Sequence, residues 1–377
     1  MRSSIEDSCV TALQIRAVPV RFPSGEQTWT VVDGSHLPID DVESFLQTRR
    51  SFGAPPNTVR SYASHLSLLF RWCHFRRISI ENISFSQFCG FVEDLSLGSI
   101  PTDRKNGGQP RKPSSVKAVL SAVEAYFEYL RLEGKGPADL RLYKDSPFRG
   151  RGGPGAFLEH VQRHRRTERR LPVARVPRSD PQIVDGEVVF DSILKSCTSQ
   201  RDRLLLAVMY DGGLRIGQAL GLRHEDFDPM RNRLTIVRRI DNVNMAFSKQ
   251  PMTFVVKVRR RVFDLYRGYL VDELSSLGIE SDYVFVNLSR GRVGKPMSDS
   301  NARQVVKSAA RRVGVDLKPH ALRHSHGTML ARNGWSNAQI AKRLGHSHAS
   351  SADVYIHLAD SDMDAKFDAT SFQIWGE

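Results

Sequence analysis

Cysteine is scarce in this chain. The four present, Cys9, Cys73, Cys89 and Cys197, are scattered through 377 residues with no Cys-x-x-Cys pair. That pattern argues against a zinc site or a disulfide framework and fits a reducing compartment. Long apolar runs are lacking as well: no stretch reaches membrane-spanning length, so no membrane partner is expected. The first residues, Met1-Arg2-Ser3-Ser4-Ile5-Glu6-Asp7, have no apolar signal-peptide core, and a cytoplasmic protein is expected. Acids are in deficit, 41 against 55 Lys plus Arg, which leaves a net charge of +14. Such a balance points to a polyanionic partner, most simply nucleic acid; the alternative is a merely soluble basic protein. No carboxylate cluster has the look of a magnesium site, so no cofactor and no metal are expected.

What is present divides the chain into an N-terminal β segment, a helical stretch, a basic linker and a mixed second domain. Residues 12–32 read as two strands around Pro23-Ser24-Gly25-Glu26. Such a hairpin could be a DNA-touching arm, but packing on the next domain is the preferred reading. Four helices are expected from residue 38 to about 134. In the second, capped at Asn57-Thr58, Val59, Tyr62, Leu66, Leu69 and Cys73 share a buried face. Its opposite face carries Arg60, Ser64, Ser67 and Arg71, either a nucleic-acid surface or a plain solvated face. Between the third and fourth helices, a turn-rich loop carries Arg104 and Lys105 and is suited to following a phosphate backbone.

Residues 135–181 form the linker. Between 149 and 178 there are nine arginines, among them Arg163, Arg165, Arg166, Arg169 and Arg170, against two acids. This concentration of charge exceeds what a tether needs and suits one that crosses a duplex; the alternative is a solvated spacer. Beyond it, helices are expected at about 188–194, 201–210, 261–277 and 301–313. Strands are expected at 233–240, 252–258 and 283–286.

The densest chemistry lies in 320–355. His320-Ala321-Leu322-Arg323-His324 is followed by Leu344-Gly345-His346 and then Tyr355, nine residues after that histidine. Gly334 can end one helix, and Ser336 can cap a second that stops at Gly345. The turns thus bring together groups that bind phosphate, move protons and attack phosphorus. Six histidines crowd this region and its edge at His357, but His324 and His326 are two residues apart, as are His346 and His348, and such pairs diverge on a helix.

The ordered set resembles the signature of the tyrosine recombinases, the phage-integrase family. Gly213-Leu214-Arg215 looks like that family's first arginine motif, with Gln218 where an acid is usual. The resemblance implies a multidomain, mainly α protein with a small β-sheet. A helical SAM-like core-binding domain at 37–134 and a mixed α/β catalytic domain at 182–360 would form a clamp, flanked by a 1–36 arm and a 361–377 tail. It implies metal-independent cleavage and religation of double-stranded DNA through a 3′-phosphotyrosine. Tyr355 would be the nucleophile, Arg215 and Arg323 the phosphate clamps. His320 and His346 would donate hydrogen bonds or assist proton movement, and Lys249 would be the general acid, with Lys257 as the fallback.

A homotetramer on DNA is implied too, with room for a partner recombinase or directionality factor, in a prokaryotic cytoplasm and associated with the nucleoid. The basic linker and β segment look similar to transposon-encoded integrases of the Tn554 type, for integration or transposition of a mobile element. Two alternatives stay open: a catalytically silent DNA-binding regulator, for which Gln218 and the unusual hairpin around Lys249 are the reasons, and a type IB topoisomerase-like enzyme.

Overall fold

The computed structural model describes residues 14–23, 27–102, 108–137, 140, 143–144, 168–169, 182–184, 186–239, 241–246, 253–289, 292–346 and 352–355. The chain separates into two compact units, Met1–Arg178 and Ser179–Glu377.

In the first unit, β1 (Arg16–Arg21) and β2 (Gln27–Val32) pair antiparallel, with Pro19 opposite Trp29. A two-stranded ribbon tolerates Pro19 because both strands are edges. Four helices follow: α1 (Asp40–Ser51), α2 (Pro56–Arg76), α3 (Phe85–Leu97) and α4 (Pro113–Leu132). α2 begins at Pro56, ahead of the expected Asn57-Thr58 cap, because proline is pre-set for a first helical turn and lacks the N–H left unpaired there. Ser84 and Gln87 close a capping box on α3.

The spacing read from the sequence buries Val59, Leu66, Leu69 and Cys73 against Phe45, Phe88, Phe91 and Tyr126. Ile15 and Val31 enter the same core, so the hairpin packs on the helices as preferred. Further anchors are Arg50, which donates to Thr28 Oγ1 at 3.4 Å, and Arg60, whose guanidinium lies 4.8 Å from the Trp29 ring centre. Within the linker, β3 (Tyr143–Lys144) pairs antiparallel with β4 (Glu168–Arg169).

The second unit starts with α5 (Glu187–Ser196), α6 (Gln200–Asp211) and the short α7 (Ile216–Leu220). Leu204 through Asp211 are all buried, so α6 is its central helix. A three-stranded antiparallel sheet follows, in the order β5 (Phe227–Asp228), β6 (Arg233–Ile236), β7 (Phe254–Lys257).

The long helix expected at 261–277 is α8 (Arg260–Gly268) running into a π-helical stretch, Tyr269–Ser275. Glu273 on that stretch accepts from the backbone N–H groups of Gln200 and Arg201 at 2.6 and 3.0 Å and so caps α6. The strand expected at 283–286 is instead a buried run with isolated bridges at each end, Arg223 with Tyr283 and Val286 with Pro296. Its partners are short loop segments that cannot extend a ladder. α9 (Asp299–Arg312), α10 (Pro319–Arg332) and α11 (Asn337–Leu344) complete the unit, with a helical turn at 352–355. The expected tail, 361–377, lies outside the described residues. Among the described residues no helix is long and apolar enough to cross a membrane.

Candidate active site

Arg215 is the N-cap of α7, following a turn at Gly212-Gly213. Gly213 has φ +63°, and a Cβ there would fall 2.6 Å from Leu344 Cδ2 and 2.8 Å from His326 Cδ2. Only glycine fits both the turn and the close approach. Gln218, one helical turn on, accepts from the Arg215 backbone N–H at 2.8 Å and from Arg323 Nη1 at 3.5 Å. The departure from the family's usual acid therefore keeps the geometry of support and gives up only the negative charge.

Arg323 lies in the first half of α10 and is 2% exposed. Its Nη1 donates to the Gly213 carbonyl at 2.6 Å and its Nη2 to the Leu344 carbonyl at 2.8 Å. It also hydrogen-bonds the Tyr355 side chain. Burial, then the neighbouring charge of Arg215, brings the Arg323 guanidinium down to about 10, still protonated at neutral pH. Burial lowers Arg215 too, and its Nη1 is buried with no hydrogen-bond partner among the described residues. Two desolvated cations thus sit together beside a neutral amide. Anionic oxygens are the complement this arrangement lacks.

Tyr355 is 2% exposed and sits on the turn after α11. Burial raises its phenol above the usual value, while Arg323 and Arg215 pull the other way. The His346 ring lies nearly parallel to it, 14° between planes and 6.2 Å between centres. Gly345, with φ +62°, ends α11 through bonds to the Ala341 and Lys342 carbonyls and so delivers His346 to this place. Burial, then Arg323 and Arg215, lowers the His346 imidazole to about 4. His320 is exposed on the first turn of α10.

Arg215, His346, Arg323 and Tyr355 therefore converge, and His320 borders them through His324. Lys249 lies outside the described residues; Lys257 is exposed at the end of β7.

Sequence reasoning missed the network that holds the Gly212-Gly213 turn. Asp211, buried at the end of α6, receives Arg259 and Arg261, and both also reach Glu187. Arg343 donates to the Asp211 carbonyl at 3.1 Å and to His326 Nε2 at 3.3 Å. His326 is buried and lowered to about 3, chiefly by burial, so it is a neutral acceptor. His324 and His326 indeed face opposite ways. Among the described residues no group of three His, Cys, Asp or Glu side chains could hold a metal ion.

Of the expected DNA-contacting residues, Arg60 is exposed with its guanidinium over Trp29. Arg71 corrects the expectation of a projecting contact. It is 6% exposed and donates to the Ile15 carbonyl at 2.5 Å and the Pro101 carbonyl at 3.4 Å, because the hairpin covers that face of α2. It forms part of a cleft of about 580 Å³ whose wall also includes Arg16, His65, Arg111, Ser114 and Ser115. Arg169 is described only in its backbone, paired with Tyr143. Arg104, Lys105, Arg163, Arg165, Arg166 and Arg170 lie outside the described residues, as does His348.

Known proteins resemble the chain over most of its length. Residues 187–362 match the phage integrase family. Transposase A from transposon Tn554 of Staphylococcus aureus is 32% identical over 342 residues, covering 90% of this chain and 93% of that protein. Tyrosine recombinase XerA of Thermococcus kodakarensis is 29% identical over 319 residues, covering 84% of this chain and 89% of that one.

The fold is shared with XerH recombinase bound to difH, at TM-score 0.56 and 17% identity over 91% of this chain and 87% of that one. It is also shared with a lambda integrase dimer on a core site, at TM-score 0.54 and 13% identity over 84% of this chain and 94% of that one. The chain belongs to the phage integrase family. It is a tyrosine recombinase, an enzyme that cleaves and rejoins DNA.

Proposed function

We propose that the chain recombines the ends of a mobile element through a covalent 3′-phosphotyrosine on Tyr355. One observation carries this reading: the phenol is hydrogen-bonded to Arg323 with Arg215 beside it and, among the described residues, no carboxylate between. A scissile phosphate entering here neutralises both guanidiniums, and the phenol lies next to the phosphorus it attacks. The developing charge meets fixed cations, so no metal is needed, and Lys249 protonates the leaving 5′-oxygen. The phosphotyrosine keeps the energy of the broken bond, so religation needs no ATP.

The mobile-element reading is supported by the likeness to Transposase A of Tn554 over nine-tenths of this chain. The domain roles follow: an arm at 1–36, core-binding at 37–134, a basic linker at 135–181, catalysis at 182–360 and a tail at 361–377. The two main domains close as a clamp on duplex DNA, the linker crosses the backbone, and four copies act on two sites. The cleft bounded by Arg16, His65 and Arg111 supports phosphate contact by the N-terminal unit.

The test is trapping in EDTA on nicked suicide duplexes tiled across the DNA flanking the gene. A DNA-linked band that Tyr355→Phe abolishes is expected. A band that survives in the variant overturns the assignment.

A further inference from the structure

The phenol of Tyr355 must lose a proton as it attacks, and its surroundings restrict where that proton goes. Its neighbours include Arg323, Arg215, His346 and His324. The guanidiniums are donors with no lone pair to offer, and the phenol already hydrogen-bonds Arg323. Only the imidazoles among these four can accept.

His324, half-buried like His346, lies between Tyr355 and a further imidazole. Its ring centre is 5.6 Å from that of Tyr355 on one side and 5.7 Å from that of His320 on the other. His320 and His324 are four residues apart on α10 and so share a helix face. Tyr355 is buried, His324 half-buried and His320 exposed, so the three rings step from the interior to solvent. His324 Nδ1 is buried with no hydrogen-bond partner among the described residues.

We propose that His324 is the proton relay of the nucleophile, taking the phenolic proton of Tyr355 and passing it through His320 to solvent. The inference rests on the reading of Tyr355 as nucleophile. In the step, the Tyr355 oxygen bonds to phosphorus, the bond to the 5′-oxygen breaks, and that oxygen takes a proton from the general acid. The phenolic proton travels the other way, over His324. Religation runs the same path in reverse.

Burial, then His320 and Arg323, lowers His324 to about 4, so it is neutral at physiological pH and holds a lone pair, though as a weak base until phosphate enters. The groups that bear on it are His320, Arg323, Tyr355 and His346. Proton transfer becomes favourable as the phenol ionises against the two arginines and the phosphate shields His324 from their charge.

The experiment is single-turnover cleavage of nicked, end-labelled suicide duplexes by the full chain, followed from pH 6 to 9. It compares wild type, Tyr355→Phe, His324→Phe and His324→Ala. Phenylalanine keeps the ring packing and removes the base.

His324→Phe should still bind duplex but cleave on the order of 10²-fold more slowly near pH 7. Its rate should climb with pH as hydroxide replaces the imidazole, and added imidazole should restore part of the His324→Ala rate. A 5′-bridging sulfur in the substrate, which removes the need for a leaving-group acid, should leave the His324→Phe defect in place.

Wild-type rate and pH profile in His324→Phe overturns the relay. So does rescue by the bridging sulfur, which would put His324 on the leaving-group side. A Tyr355→Phe protein that still forms adduct overturns the nucleophile assignment instead, and the two failures are told apart on one gel.

Discussion

The Tyr355 ring rests on the α-carbon of Gly327. A Cβ at Gly327 would fall 2.7 Å from two ring carbons, closer than such atoms pack. Gly327 lies one turn of α10 beyond Arg323, so the helix that carries Arg323 also provides the flat seat for the Tyr355 ring. Gly327→Ala should push the ring away from Arg323. Adduct formation on suicide duplexes should fall at least about tenfold, and unfolding should be easier by about 1–3 kcal/mol, the usual cost of overpacking. Normal adduct rates in the variant would contradict the seat.

Gln218 ties Arg215 to Arg323 without adding charge. Gln218→Leu removes the acceptor and leaves a part-buried backbone N–H unpaired, a loss of about 1 kcal/mol. Cleavage should drop more in Gln218→Leu than in Gln218→Glu, which keeps the acceptor and adds the family's usual charge. Equal rates in the two variants would show that the amide does not support the arginines.

Arg71 joins three segments, α2, the start of the hairpin and the residue after Ile100. Arg71→Met should lower the melting temperature, since two interior carbonyls lose a charged donor. Arg16→Ala, at the cleft wall, should leave stability near wild type and reduce the salt slope of DNA binding by about one. Titrations at several salt concentrations measure both. A salt slope unaffected by Arg16→Ala would remove the cleft from the DNA surface.

Three histidines, His324, His326 and His346, sit below their ordinary value of 6.5, at about 4, 3 and 4. In each the unfolded chain binds a proton before the folded chain does. Stability is therefore full above about pH 6.5 and declines as pH falls from there toward 4. Urea midpoints measured at pH 7.5, 6 and 5 should fall in that order. His326→Asn should flatten the decline. A midpoint that stays level across this range would contradict burial of the neutral rings.

Much of this was legible in the sequence because chemistry restricts residue type. Arg215, Arg323, His346 and Tyr355 were expected in one site, and the structure brings them together. The helical core of the N-terminal unit was legible from the spacing of Val59, Leu66 and Leu69.

What stayed hidden depends on tertiary contact. Arg71 reads as exposed until a hairpin from 56 residues earlier covers its face. Gly327 reads as an ordinary helix glycine until Tyr355 folds onto it. The Asp211 network joins residues 48 to 132 positions apart, beyond the reach of any local pattern. The long helix expected at 261–277 becomes partly π-helical, and periodicity does not report which hydrogen-bond ladder a helix uses.

The central claim, Tyr355 as the covalent attachment site, is tested most directly by mass spectrometry of the trapped adduct. After nuclease and trypsin digestion, the peptide 344–366 contains a single tyrosine, Tyr355. The account predicts a nucleotide joined through its 3′-phosphate to that residue. Attachment to a serine or histidine of the same peptide, or to any other peptide, would contradict it.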